Sequence, residues 1–422
     1  MAGQSGSKRK VNIELLRIVS MLEITALHYL YWNDAILLTT NSVTALRVAG
    51  SILESLCIPS VACYVLISGY CDRSTEFRIG RLWKILAEVW VYSVVLHLFA
   101  AAMGLVPLAG SIWELATYIL PIMTGHYWFA TAFVVMEIFA PLLNAGVEHV
   151  SRKTLKYVIL ALLIYESVIK TVLPFQLNQD AMGYDFGFFL MMFLIGAWLR
   201  RYGAPHILNA KETVVPLRTG DRSRREQETG AVSVSSSDRQ LWAAAENDPN
   251  GNQADKSAKM PRRECSVKRA AAGYLTSCAV IAAVQIGAAL LHAKTGSLSW
   301  LMSAPFHYNY LFAVSASVCL FLLFTRVEVP KGRMSDAIRA AAPLTFGVYL
   351  IQCHSDFLQY WPTWLSGCAG LNADTANPVF FFLWMLIAVA VVYAACSAVD
   401  AVRKFLFERA ERLIRSRMRK KA

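Results

Sequence analysis

Glu14–His28, reading ELLRIVSMLEITALH, places two acids, an arginine and a histidine inside a run otherwise fit to cross a bilayer. Charged groups are costly there, so their default reading is functional. Arg17 and His28 are eleven residues apart, which on an α-helix returns them to nearly one face, about 16 Å apart along the axis. One stripe then presents a fixed cation and, further along, a base whose ordinary pKa lies near neutrality. Glu14, three residues before Arg17, is near enough to pair with the guanidinium. Glu23 points away from the stripe and calls for a partner on another helix. A separation of about 16 Å is too great for a hydrogen-bonded dyad, which needs about 3 Å. The pattern fits a group transfer in which the cation orients an anionic donor and the histidine takes a proton from an acceptor.

The chain that positions these residues has 422 residues, 56% of them hydrophobic and 17% charged, with a mean hydropathy of +0.42. That composition excludes an ordinary soluble domain. Ten apolar runs have the length of membrane helices, at about 11–32, 48–70, 82–103, 126–146, 155–174, 184–199, 270–293, 305–325, 342–360 and 378–401. Ser111–Pro121 is too short to cross and is expected at the interface. The first run is too long, too charged and lacks the small-residue site of a cleaved signal peptide. The expected fold is all-α, a polytopic membrane helix bundle of about ten transmembrane helices.

Lys and Arg give its orientation. With the N-terminus cytoplasmic, the inner segments carry 34 basic residues and the outer loops two, Arg47 and Lys294, so both termini are expected in the cytoplasm. The domain reading follows: a tail over 1–10, six spans in 11–202, an insertion over 203–268, four spans in 269–401, and a basic amphipathic tail over 402–422 on the inner surface. The insertion holds 11 basic and 9 acidic residues among Ser, Asn, Gln and Gly, a composition expected to be disordered. The net charge of +12 is explained by this topology and by anionic inner-leaflet lipid, with no nucleic-acid partner. The nine cysteines are scattered without CxxC or metal-like spacing, so they read as small buried hydrophobes and no metal is expected.

Other features leave two readings open. Arg78 and Arg81, three apart where the third span begins, suit a phosphate seat at a helix N-terminus or an inner-face anchor. Glu137, within the fourth span, needs a partner for structure or for chemistry. Tyr127, Trp128 and Phe129 read as an interfacial aromatic belt, and Lys170 as a snorkelling side chain. Ser68 and Gly69, closing the second span in LISGY, permit close backbone approach.

The order of these motifs resembles the acyltransferase-3 family of integral membrane O-acyltransferases. The resemblance rests on the arginine, ten residues, histidine pattern with its preceding acid, on LISGY, the Arg78–Arg81 pair, HYWF followed by Pro141, and TFGVYLI. It covers the chain from the first span to the last, apart from the insertion. It implies a multi-pass enzyme of the plasma membrane that takes an acyl group, usually acetyl, from cytoplasmic acyl-CoA to a hydroxyl of a surface or lipid-linked carbohydrate. By that resemblance His28 is the catalytic residue, with Arg17 and Glu14 beside it. Arg78 and Arg81 hold the CoA phosphates, and Ser68, Gly69 and Tyr70 shape the donor channel. His126, Trp128, Glu137 and Tyr349 are expected to contact substrate.

Two departures stand out. Trp128 is followed by FATAFVVME rather than a glutamate pair, as in one branch of the family, and Glu137 stands where that branch tends to have tyrosine. The histidine often found directly after YLI is replaced by Gln352, the nearest histidine being His354. Direct transfer past Arg17 and relay through a covalent acyl-enzyme both remain open. The competing functions are a transporter or flippase for a glycan or lipid precursor, against which stands the lack of inverted repeats, and a non-catalytic membrane sensor.

Overall fold

A computed structural model describes residues 10–38, 42–173, 181–204 and 266–421. The expected insertion over 203–268 therefore lies almost wholly outside the described residues, as do residues 1–9 of the N-terminal tail. The described residues are helical, without a strand. In chain order the principal helices are α1 (Val11–Trp32), α2 (Ala45–Cys57), α3 (Ser60–Cys71), α4 (Ile79–Ala102), α5 (Ile112–Ile119), α6 (Trp128–His149) and α7 (Arg152–Leu163). They continue as α8 (Phe186–Tyr202), α9 (Val267–Thr295), α10 (Leu311–Phe324), α11 (Arg333–Ala341), α12 (Thr345–Gln352), α13 (Tyr360–Cys368) and α14 (Pro378–Lys421).

Among the described residues, six helical stretches are long and apolar enough to cross a membrane. The ten expected runs differ from these six for local reasons. α1 has the length, at 22 residues, but its arginine, glutamates and histidine take it out on composition. α8 has only 17 residues. The run expected over 342–360 breaks at Cys353–His354 into α12 and a short turn of helix at Ser355–Leu358, with α13 following. The run expected over 155–174 is interrupted by a π turn at Ile164–Val168. There Glu166 and Lys170 form a buried ion pair at 2.8 Å. Lys170 is therefore paired inside the bundle and does not snorkel. α5 is short as expected and starts with a capping box between Ser111 and Glu114.

Sequence explains the packing around α3. Pro59 lacks an N–H and ends the α2 ladder, and its carbonyl accepts a hydrogen bond from Ser317 of α10 at 3.0 Å. Beyond the kink α3 lies against α8 at backbone distance. A Cβ on Gly69 would stand 2.0 Å from the Phe193 carbonyl oxygen, and one on Gly196 would stand 2.4 Å from that of Leu66. Glycine at both positions is what lets the two backbones meet.

The two ends of the bundle are chemically distinct. At the end where α1 begins, Lys10 lies over the Tyr70 ring at 5.5 Å and Asn12 donates to the Thr325 carbonyl at 3.1 Å. α14 runs antiparallel to α4 through Tyr92–Asp400 at 2.8 Å, Glu88–Arg403 at 2.8 Å and Lys84–Glu411 at 3.1 Å. It does not stop at Ala401; residues expected as a separate tail continue the same helix to Lys421. We call the end where α1 and α4 begin the basic end.

Candidate active site

α1 is unbroken from Val11 to Trp32, so Arg17 and His28 keep the separation their spacing dictates. Near its start the Arg17 guanidinium lies 3.6 Å from the Glu14 carboxylate. Glu14 is buried, and one of its oxygens has no hydrogen-bond partner. The Tyr64 hydroxyl donates to the Arg17 carbonyl at 2.6 Å, fixing α3 against this turn. Glu23 takes its partner from another helix, accepting a hydrogen bond from Ser60 of α3.

Further along α1, His28 lines a cavity of about 50 Å³ with Met21, Tyr64, Trp128, Tyr349 and Cys353. Such a space admits a few water-sized groups. Its walls are aromatic: Trp128 stacks on Tyr308 with ring centres 5.6 Å apart and packs against Tyr184 at 4.4 Å. The HYWF aromatics do not form an interfacial belt here. Tyr127 and Phe129 are buried in the core, and Trp128 faces His28's cavity.

Cys353 reaches this cavity because the chain breaks just after α12. The His354 ring caps the next turn, its Nδ1 accepting from the Asp356 N–H at 3.2 Å. That leaves Nε2–H to donate to the Ser93 carbonyl at 3.1 Å. The Asp356 carboxylate lies 2.8 Å from His97 Nδ1 and accepts from the Tyr118 hydroxyl at 2.8 Å and from Ser355 at 3.1 Å. Because the Ala109 N–H donates to His97 Nε2 at 3.2 Å, it is Nδ1 that carries the His97 proton to Asp356. The Tyr118 phenol, pushed up to about 12 by burial and by its bond to Asp356, keeps its proton. His126 packs on this cluster, its ring centre 4.9 Å from that of His354. It does not line the His28 cavity. A buried carboxylate with this many donors is fully engaged, so the cluster is a rigid clamp on the Cys353–His354 break.

The basic end holds a second group. Arg78 and Arg81 point the same way from the start of α4, and both reach Asp72, at 2.5 and 2.8 Å. Arg81 also binds Glu137 of α6 at 2.7 Å. Glu137 thus finds its partner here, away from His28. Asp72, Arg78 and Glu137 border a small cleft of about 10 Å³. Both arginines are already met by carboxylates, so an anion binding there exchanges with Asp72 or Glu137. Buried Arg200 of α8 holds this end of α3, donating to the Gly69 carbonyl at 3.0 Å and to that of Asp72. Ser68 bonds back to the Tyr64 carbonyl at 3.2 Å, and Tyr70 packs edge-on against Phe321 at 5.1 Å.

Of the residues singled out in the sequence, the fold brings His28, Trp128 and Tyr349 around one cavity. It keeps Arg78, Arg81 and Glu137 at the basic end. Three features escaped sequence reasoning: the Cys353 thiol at His28, the Asp356 clamp and the Arg200 brace. An aspartate two residues after a histidine in an apolar run was the available signal for the clamp. The reading of all the cysteines as buried hydrophobes is corrected at three positions: Cys71 and Cys368 are exposed, and Cys353 is half-buried and faces an imidazole. Among the described residues no cluster of three or more His, Cys, Asp or Glu side chains is arranged to hold a metal.

A family model described as an acyltransferase domain, of the acyltransferase-3 type, matches residues 10–398. No curated protein and no solved structure gave a match.

Proposed function

Because the chain belongs to the acyltransferase-3 family of membrane acyltransferases, we propose that it moves an acyl group, acetyl in the first instance, from acyl-CoA to a hydroxyl of a surface or lipid-linked carbohydrate. The observation that carries this reading is His28, an imidazole facing an aromatic-walled cavity on the same unbroken helix that holds the Glu14–Arg17 pair.

In this reading ten segments cross the plasma membrane and both termini are cytoplasmic. The distribution of Lys and Arg supports it, as does the antiparallel course of α14 along α4, which returns the chain to the end where α1 begins. The donor comes from the basic end. Arg78 and Arg81 take its phosphates in exchange for Asp72 and Glu137, Ser68, Gly69 and Tyr70 shape its path, and Arg17 orients it toward His28. His28 accepts the proton of the acceptor hydroxyl as the oxygen attacks the acyl carbonyl, and returns a proton to the leaving sulfur. Trp128 and Tyr349 provide flat and polar faces of the kind a sugar ring meets, and His126 lies close by at the same end. Glu14 holds the Arg17 guanidinium in place.

The test is acyl transfer to glycan by purified protein, with product mass read by mass spectrometry. His28→Ala and Arg17→Ala are each expected to slow transfer by at least about 100-fold. Full transfer by either variant would overturn the assignment.

A further inference from the structure

The proposed reaction must carry an acyl group between a donor held at the basic end and an acceptor near His28, and the cavity offers a nucleophile for that passage. The Cys353 sulfur lies 3.8 Å from His28 Nδ1. Of the eight free thiols among the described residues, Cys353 alone lines the His28 cavity. A thiol within hydrogen-bond reach of an imidazole is the core of an activated nucleophile. The wall of the same cavity also carries the Tyr349 ring, whose buried hydroxyl lies against the Phe129 and Ala130 backbone.

We propose that Cys353 is the nucleophile of this enzyme and carries the acyl group as a thioester between acyl-CoA and the acceptor. The proposal rests on the acyl-transfer reading above. In the first half, the Cys353 S–H proton passes to His28 Nδ1 and the sulfur attacks the donor carbonyl. The carbon–sulfur bond to CoA breaks, and CoA leaves as a thiol with the proton from His28. In the second half, His28 takes the acceptor hydroxyl proton and the oxygen attacks the Cys353 thioester. The carbon–sulfur bond to Cys353 breaks, and its thiol regains the proton. One thioester replaces another and an oxygen ester follows, so no oxidant or reductant is needed. The Asp356 clamp fixes the chain break that aims the thiol at His28.

The experiment uses the full-length protein in nanodiscs with acetyl-CoA labelled in its acetyl group and no acceptor. The label is expected on the protein, releasable by hydroxylamine, as one acetyl mass on the peptide containing Cys353. It should be discharged when membrane glycan is added. Cys353→Ala and the near-isosteric Cys353→Ser should keep the wild-type unfolding midpoint, carry no hydroxylamine-labile label and transfer at least about 100-fold more slowly. Wild-type-like transfer by both variants overturns the relay and leaves the acyl-transfer reading standing. So does wild-type transfer with no label on Cys353 in a single turnover. A wild-type protein that neither labels nor transfers overturns both.

Discussion

Holding a large anionic donor and removing a proton from an acceptor are demands on different side chains, and α1 meets them about three turns apart. Arg17 sits where Glu14 can hold its guanidinium, while His28 faces a cavity with few polar walls. The distinction between arginine and lysine is testable at this scale. A planar guanidinium binds a phosphate or carboxylate through two parallel hydrogen bonds, which an ammonium cannot reproduce. Arg17→Lys is therefore expected to raise the KM for acyl-CoA by about tenfold or more despite keeping the charge, which steady-state kinetics over acyl-CoA concentration will read. An unchanged KM would reduce Arg17 to a simple positive charge. The residue scale also shows the limit of motif reading. Arg81 and Glu137, 56 positions apart, are a single ion pair, and neither residue announces the other.

At the scale of elements, the chain keeps its regular helices where nothing polar intervenes and breaks them where the site needs an edge. Pro59 makes one break by its own chemistry. The break after α12 has no proline or glycine; it is made by His354 and Asp356, which replace lost helical hydrogen bonds with bonds to Ser93, His97 and Tyr118. Asp356→Ala leaves the buried His97 N–H without an acceptor and removes the acceptor of the part-exposed Tyr118 hydroxyl, which water can replace. A buried loss costs about 1–3 kcal/mol, so unfolding is expected to become easier by about 1–3 kcal/mol. Asp356→Asn retains an acceptor oxygen and should fall between this variant and the wild type. If the clamp aims Cys353, alkylation of that thiol by a maleimide should change in the same order, Ala more than Asn. Equal alkylation rates in all three proteins would show that the break holds without the clamp.

For the whole molecule, the family match runs across residues 10–398, a span that includes the polar stretch from 205 to 265, where none of the proposed site residues falls. Replacing residues 205–265 with a short flexible linker is expected to leave acyl transfer within about twofold of wild type, measured in membranes with matched protein levels. A large loss would give the insertion a part in the reaction. Much of the molecule was legible before folding, because the relevant physics is local. Long apolar runs must become helices in a bilayer, since lipid offers nothing else to satisfy the backbone. Eleven residues of helix fix Arg17 and His28 on one stripe, and glycine in LISGY permits a close neighbour. The sequence by itself thus determined the helical membrane class, the stripe along α1 and the paired arginines at the start of α4. Only the tertiary structure decided which side chains share a space. Cys353 meets His28 across 325 positions and Asp356 meets His97 across 259. A cysteine or an aspartate within an apolar run looks the same in sequence whichever way it faces, and packing between distant helices chooses the direction.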